Sequence, residues 1–376
     1  MAKNHYEPVL IMHLFIAFTL IIILATITFT RPDIKLADAM QKCNKEDLHT
    51  RVGCYKYILE RELKNNNNFT YVYKKLIPYT SSLNENLTDL SFHGTNCHVF
   101  THSAGKVLAS MYRDRPIEGI SLCADNCFQG CATGFVDYIL YLQNYSEEET
   151  NKMLDLCPSK FSFGCAHGAG HSYFDKYVYN VNLVEDLLEN KDNNYLSHVY
   201  RSPEIGNLDL AFKGCDKLMK EDQVKSCYDG VTHRIYIVTH LTDHNLTTGM
   251  EWCNQSVDYK EKCIERYASV IGIMQAGQYI FSGNEKAFND FCMDLIRTLG
   301  HGIGKKCFKG AGIMIMMVLN SMRVDPSFTD SGNNPVITST IKHFMSLCKQ
   351  AKEYSEECYE GMKQYDSTKL LERYLK

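Results

Sequence analysis

CPSKFSFGCAHGAGHSYF, residues 157–174, sets two cysteines eight positions apart, a glycine three residues after the second, and His167 and His171 four residues apart. On a helix, a spacing of four puts two side chains on one face, one above the other. The Cys-x-x-Gly element recurs at Cys127/Gly130, Cys131/Gly134, Cys165/Gly168, Cys227/Gly230, Cys307/Gly310 and Cys358/Gly361. Sixteen cysteines and 23 glycines in 376 residues would give about one such coincidence by chance, so the element marks an internal repeat.

The remaining cysteines give the repeat its scale. Those at 131, 165, 227, 263 and 307 stand 34 to 62 residues apart, the size of helix-hairpin units with inserted loops. Few runs alternate with period two and none of them repeats, which argues against an all-β fold. The expected fold is all-α: a solenoid-like array of antiparallel helix-hairpin repeats cross-linked near their turns. Spacing pairs Cys43–Cys54, Cys157–Cys165, Cys215–Cys227, Cys253–Cys263, Cys292–Cys307 and Cys348–Cys358, and leaves Cys97–Cys127 with Cys123–Cys131. A disulfide draws two backbones closer than helices normally pack, and the glycine one turn beyond is expected to relieve the clash at that bridge.

Cysteines in such number and spacing fit an oxidising compartment. The 21-residue apolar run Val9–Phe29 has the length of a membrane span and favours an uncleaved anchor over a cleaved signal. The expected organisation is a cytoplasmic tail over 1–8, a transmembrane helix over 9–29, a juxtamembrane spacer over 30–42 and an extracytoplasmic domain over 43–376. Within that domain, 43–92 reads as an N-terminal cap, 93–320 as central repeats and 336–376 as a C-terminal repeat. The chain would then sit in the cell membrane as a single-pass protein. Sequons at Asn68, Asn86, Asn144, Asn245 and Asn254 agree with an exposed domain. A net charge of -4, with no basic patch, argues against a nucleic-acid partner.

Three motifs together resemble a family of uncharacterised extracytoplasmic proteins of archaea and bacteria. Cys97-His98-Val99-Phe100-Thr101-His102-Ser103-Ala104-Gly105 is similar to its C-H-x-x-x-H-x-x-G helix, and Cys165-Ala166-His167-Gly168-Ala169-Gly170-His171 to its C-x-H-G-x-G-H segment. Cys215–Gly230 and Cys348–Gly361 are similar to its closing C-Y-x-G units. The likeness covers residues 97–361 and departs at Cys131-Ala132-Thr133-Gly134, where the family often carries histidine before the glycine. It implies no activity.

The chemistry rests on histidines. His98/His102 and His167/His171 are pairs at chelating spacing, and His233 and His301 occupy comparable places in their own repeats, so the six form a candidate Cu or Zn site. The plainer reading, which the sequence alone favours, is that each is a core histidine donating to a backbone carbonyl at a crowded interface. Neither pair is H-E-x-x-H, and there is no C-x-x-C-H, G-x-S-x-G or P-loop. Gly300-His301-Gly302-Ile303-Gly304 has no strand before it to make a dinucleotide turn. Asp137, Asp229 and Glu265 read as solvated or capping carboxylates, with a supporting role beside a metal as the alternative. Two functions follow. The first is a membrane-anchored scaffold or binding module for a protein or glycan partner, more a binding protein than an enzyme; the alternative is a metal-binding protein or metal-dependent enzyme built on the histidines.

Overall fold

The computed structural model describes residues 35–46, 48–80, 90–124, 127–143, 145–179, 207–242, 246–282, 285–324 and 335–365, and no strand occurs among them. The helices are α1 (residues 35–45), α2 (Leu48–Asn65), α3 (Phe69–Leu76), α4 (Leu90–Met111), α5 (Pro116–Ser121), α6 (Gly130–Gln143), α7 (Glu147–Leu156) and α8 (Ser162–Phe174). They continue with α9 (Leu208–Asp216), α10 (Glu221–Thr242), α11 (Leu246–Gln255), α12 (Lys260–Ser282), α13 (Glu285–Leu299), α14 (His301–Val324), α15 (Pro335–Gln350) and α16 (Ser355–Tyr365).

Local signals set several boundaries. Asn65 ends α2, and the Asn68 side chain accepts from Tyr71 N to cap α3. Ser146 and Glu149 form a capping box ahead of α7. Gly300, at φ +94°, separates α13 from α14, so the Gly300–Gly304 stretch is a helix start with a helix before it.

The long helices pack in sequence: α2 on α4, α4 on α6, α6 on α8, α8 on α10, α10 on α12, α12 on α14 and α14 on α16. The layer curves, because α12 also touches α4. Shorter helices are clipped on by the bridges Cys43–Cys54, Cys97–Cys127, Cys123–Cys131, Cys157–Cys165, Cys215–Cys227, Cys253–Cys263, Cys292–Cys307 and Cys348–Cys358. The core includes Phe100, Phe135, Phe161, Phe174, Phe212, Tyr267 and Phe308.

The glycines relieve a different contact from the one their sequence position suggests. Gly230 lies one turn beyond Cys227, which is bridged to Cys215 on α9, yet a Cβ on Gly230 would collide with the His167 carbonyl on α8. In return, a Cβ on Gly170 of α8 would strike the Cys227 carbonyl. The same reciprocal contact joins α4 to α6 (Gly105 at the Cys131 carbonyl, Gly134 at that of His102) and α12 to α14 (Gly272 at Cys307, Gly310 at Ser269). It recurs between α14 and α16, with Gly312 at the Cys358 carbonyl and Gly361 at that of Lys309. The α6/α8 contact carries half of it, Gly168 against the Thr133 carbonyl. Apart from Cys127, which is bridged to Cys97 on α4, each Cys-x-x-Gly therefore ties the segment before its helix through sulfur and seats its helix on the preceding long helix through backbone.

One further expectation changes. Residues 30–42 do not form a spacer where they are described: α1 packs into the core, with Leu36, Met40 and Cys43 buried. In α2, Arg51, Tyr55, Ile58 and Leu59 are buried, while Tyr57 is exposed. Cys127 lies in a turn ahead of α6. Among the described residues no helix is long and apolar enough to cross a membrane, and Val9–Phe29 lies outside them. Of the sequons, Asn68 and Asn254 are exposed, and Asn86, Asn144 and Asn245 lie outside the described residues.

Candidate metal centre

Five of the six histidines meet where α4, α8 and α10 face one another. His98 and His102 lie on α4, His167 and His171 on α8, and His233 on α10. Ring centroids are 4.7 Å apart in each i, i+4 pair; His102 stacks on His171 at 5.7 Å, and His233 lies 5.3 Å from both His167 and His171. His171 is buried, and the other four are half-buried. His301 is elsewhere: it is exposed at the start of α14, hydrogen-bonded through Nδ1 to the Tyr354 hydroxyl.

The ligand atoms of His167, His171 and His233 lie within 4.8 Å of one another. His233 Nδ1 is 3.2 Å from His167 Nε2 and 3.3 Å from His171 Nε2. Two nitrogens held at about 2.0–2.1 Å from one tetrahedral metal ion are about 3.3–3.4 Å apart, so both distances match ligand edges.

His98 behaves as a core histidine should, its Nδ1–H donating to the Cys127 carbonyl at 2.9 Å. His167 Nδ1 and His171 Nδ1 are buried and meet no hydrogen-bonding group among the described residues. If His233 Nδ1 donates, both of those nitrogens are stranded donors; if it accepts, both are stranded acceptors. Each costs about 1–3 kcal/mol, which a purely structural placement would avoid.

Beneath the histidines lies a charged layer, two of whose members continue the same helical stripes. Lys106 is four residues after His102, Asp175 four after His171, Arg234 next to His233, and Asp137 on α6; all four are buried. Arg234 Nη2 donates to Asp137 Oδ2 at 2.8 Å and Asp175 Oδ2 at 3.2 Å, and Lys106 Nζ lies 3.3 Å from Asp137 Oδ2. Two cations and two carboxylates balance, about 6 Å below the middle histidines by helical rise. Asp137 is thus an ion-paired core residue rather than a solvated or capping one, whereas Asp229 pairs with Arg266 and Glu265 with Lys306. Lys106, Asp175 and Arg234 were legible only as the next helical position after a histidine already singled out.

Every histidine in the cluster is held neutral. Burial pushes His167 down to about 3, helped by His98 and Arg234. Burial first, then neighbouring histidines and the Lys106 or Arg234 cations, lowers His102, His171 and His233 well below the ordinary imidazole value. Burial also lowers His98, partly offset by its bond to the Cys127 carbonyl. Neutral imidazoles keep a lone pair for a metal, and with both Asp137 and Asp175 engaged by Arg234 the donor set is all nitrogen. Such a set suits Cu and Zn, whereas Mg and Ca call for oxygen ligands.

Comparison of the chain with protein-family models, with curated proteins and with solved structures gives no match.

Proposed function

We propose that this protein binds one late first-row transition-metal ion, copper or zinc, through His167, His171 and His233. The observation that carries the reading is the convergence of three imidazole nitrogens within 4.8 Å of one another, two of their three separations at ligand-edge distance. A second one supports it: the interface that brings them together is built again elsewhere in the chain without histidine, so packing alone does not require them. Eight disulfides fit an oxidising compartment outside the cytoplasm, where Val9–Phe29 would tether the chain to the membrane. In this reading α4 to α10 form a helical cage around the ion, and the exposed outer faces of the array remain open to a protein or glycan partner.

The test is metal content by mass spectrometry after the purified protein is stripped, incubated with Cu(II) or Zn(II) and desalted. The expected result is retention of tightly held metal, with affinity lost by about 100-fold or more in His233→Ala and unchanged in His301→Ala. A protein that retains no metal while keeping its helical spectrum returns the array to a scaffold role.

A further inference from the structure

The His98/His102 pair copies the geometry of His167/His171. Ring centroids are 4.7 Å apart in both pairs, with interplanar angles of 71° and 67°. The difference lies in what surrounds them. His167 and His171 are joined by His233, whereas His98 is oriented by a turn of its own.

That turn, Cys127–Gln129, is strained. Cys127 has φ 47° and Gln129 φ 56°, left-handed values that residues with side chains seldom adopt, costing roughly 1–3 kcal/mol each. Both strained residues are anchored to the helices that carry the histidine pairs. The Cys127 sulfur is bridged to Cys97, the residue before His98, and the Cys127 carbonyl accepts from His98 Nδ1–H. The Gln129 side chain donates to the Lys160 carbonyl at 2.7 Å and accepts from Gly164 N at 2.8 Å, which fixes the start of α8 one turn before His167. Fixing the proton on Nδ1 leaves Nε2 of His98 with its lone pair, the tautomer that a metal ligand needs, and a carbonyl in this position is the usual supporting partner of a ligating imidazole.

We infer that His98 and His102 hold a second copper or zinc ion beside the first, so that the cluster is a two-ion site in which the stacked His102 and His171 rings form the wall between the ions. The inference rests on the three-histidine reading for its neighbour, but its own ligands are distinct. The protein supplies two nitrogens here, and solvent or a small exogenous ligand completes the coordination.

Full-length protein, stripped of metal and titrated with Cu(II) alone, tests this by stoichiometry and by electron paramagnetic resonance. Two ions per chain are expected, with a dipole-broadened spectrum and a half-field signal from neighbouring Cu(II) centres. The double variant His98→Gln/His102→Gln, which preserves side-chain bulk, is expected to bind one ion and give the sharp spectrum of an isolated centre; His98→Ala/His102→Ala serves as a second version. One ion in the wild-type protein, or two in both double variants, overturns the second site and leaves the first standing. No ion in the wild-type protein overturns both.

Discussion

At the carbonyl that meets the partner glycine, the α4/α6 and α8/α10 interfaces carry His102 and His167, whereas the α12/α14 and α14/α16 interfaces carry Ser269 and Lys309. Three residues beyond the glycine of the opposing helix stand Asp137 and His233 in the first two, and Ile313 and Gln364 in the others. The backbone contact is the same in all four. What surrounds it differs: Lys309 pairs with Glu360 at 3.7 Å, Ile313 is buried and Gln364 is exposed. The repeated interface thus needs glycine and a cysteine carbonyl, and is indifferent to whether histidine stands beside them. The histidines and the charged layer have been placed on one half of a scaffold that assembles equally well without them.

The largest effect should come from challenging what the halves share. Gly170→Ala and Gly312→Ala each drive a Cβ into a cysteine carbonyl on the neighbouring helix, at Cys227 and Cys358 respectively. Because backbone cannot yield as a flexible side chain would, each is expected to cost about 3 kcal/mol or more, read as a fall in the unfolding midpoint. Only Gly170→Ala should also weaken metal binding. Equal loss of metal in both variants would mean that the halves are not separable.

A second effect, confined to one half, should appear with pH in the metal-free protein. The five clustered histidines are neutral when folded and bind protons in the unfolded chain, so the stability they confer is present above their ordinary value of about 6.5. It is lost progressively as pH falls from there toward the depressed folded values, with His167 the marker at about 3. Lowering the pH from 7 to 5 is expected to reduce Tm by roughly 3 °C for each histidine held neutral, His167 being the clearest case. Amide exchange should rise in α8 and α10 before α14 and α16; exchange that rises uniformly along the array would place the titrating groups elsewhere.

Much of this was readable in advance, because it is local in sequence. Short cysteine spacings bring their own partners within reach, as in Cys215–Cys227 and Cys348–Cys358, and the i, i+4 histidine pairs carry their common face with them. The errors lie where an answer depends on the neighbour across the array. Cys-x-x-Gly suggests a glycine serving its own bridge, since nothing in the chain names the α8 carbonyl that Gly230 meets. His301 looked equivalent to His233, but it precedes its cysteine by six positions where His233 follows by six, which puts it at an exposed helix start. The charged layer is not legible in the sequence, because nothing marks Lys106 and Asp175 as facing inward until the helices are packed.

X-ray absorption at the metal edge of protein loaded with one equivalent of zinc tests the central claim most directly. The account predicts a first shell that includes three imidazole nitrogens at about 2.0–2.1 Å, with no sulfur and no loss of helical content, and a shell that changes in His171→Gln. A first shell dominated by oxygen, or one that the His171 substitution leaves untouched, would contradict it.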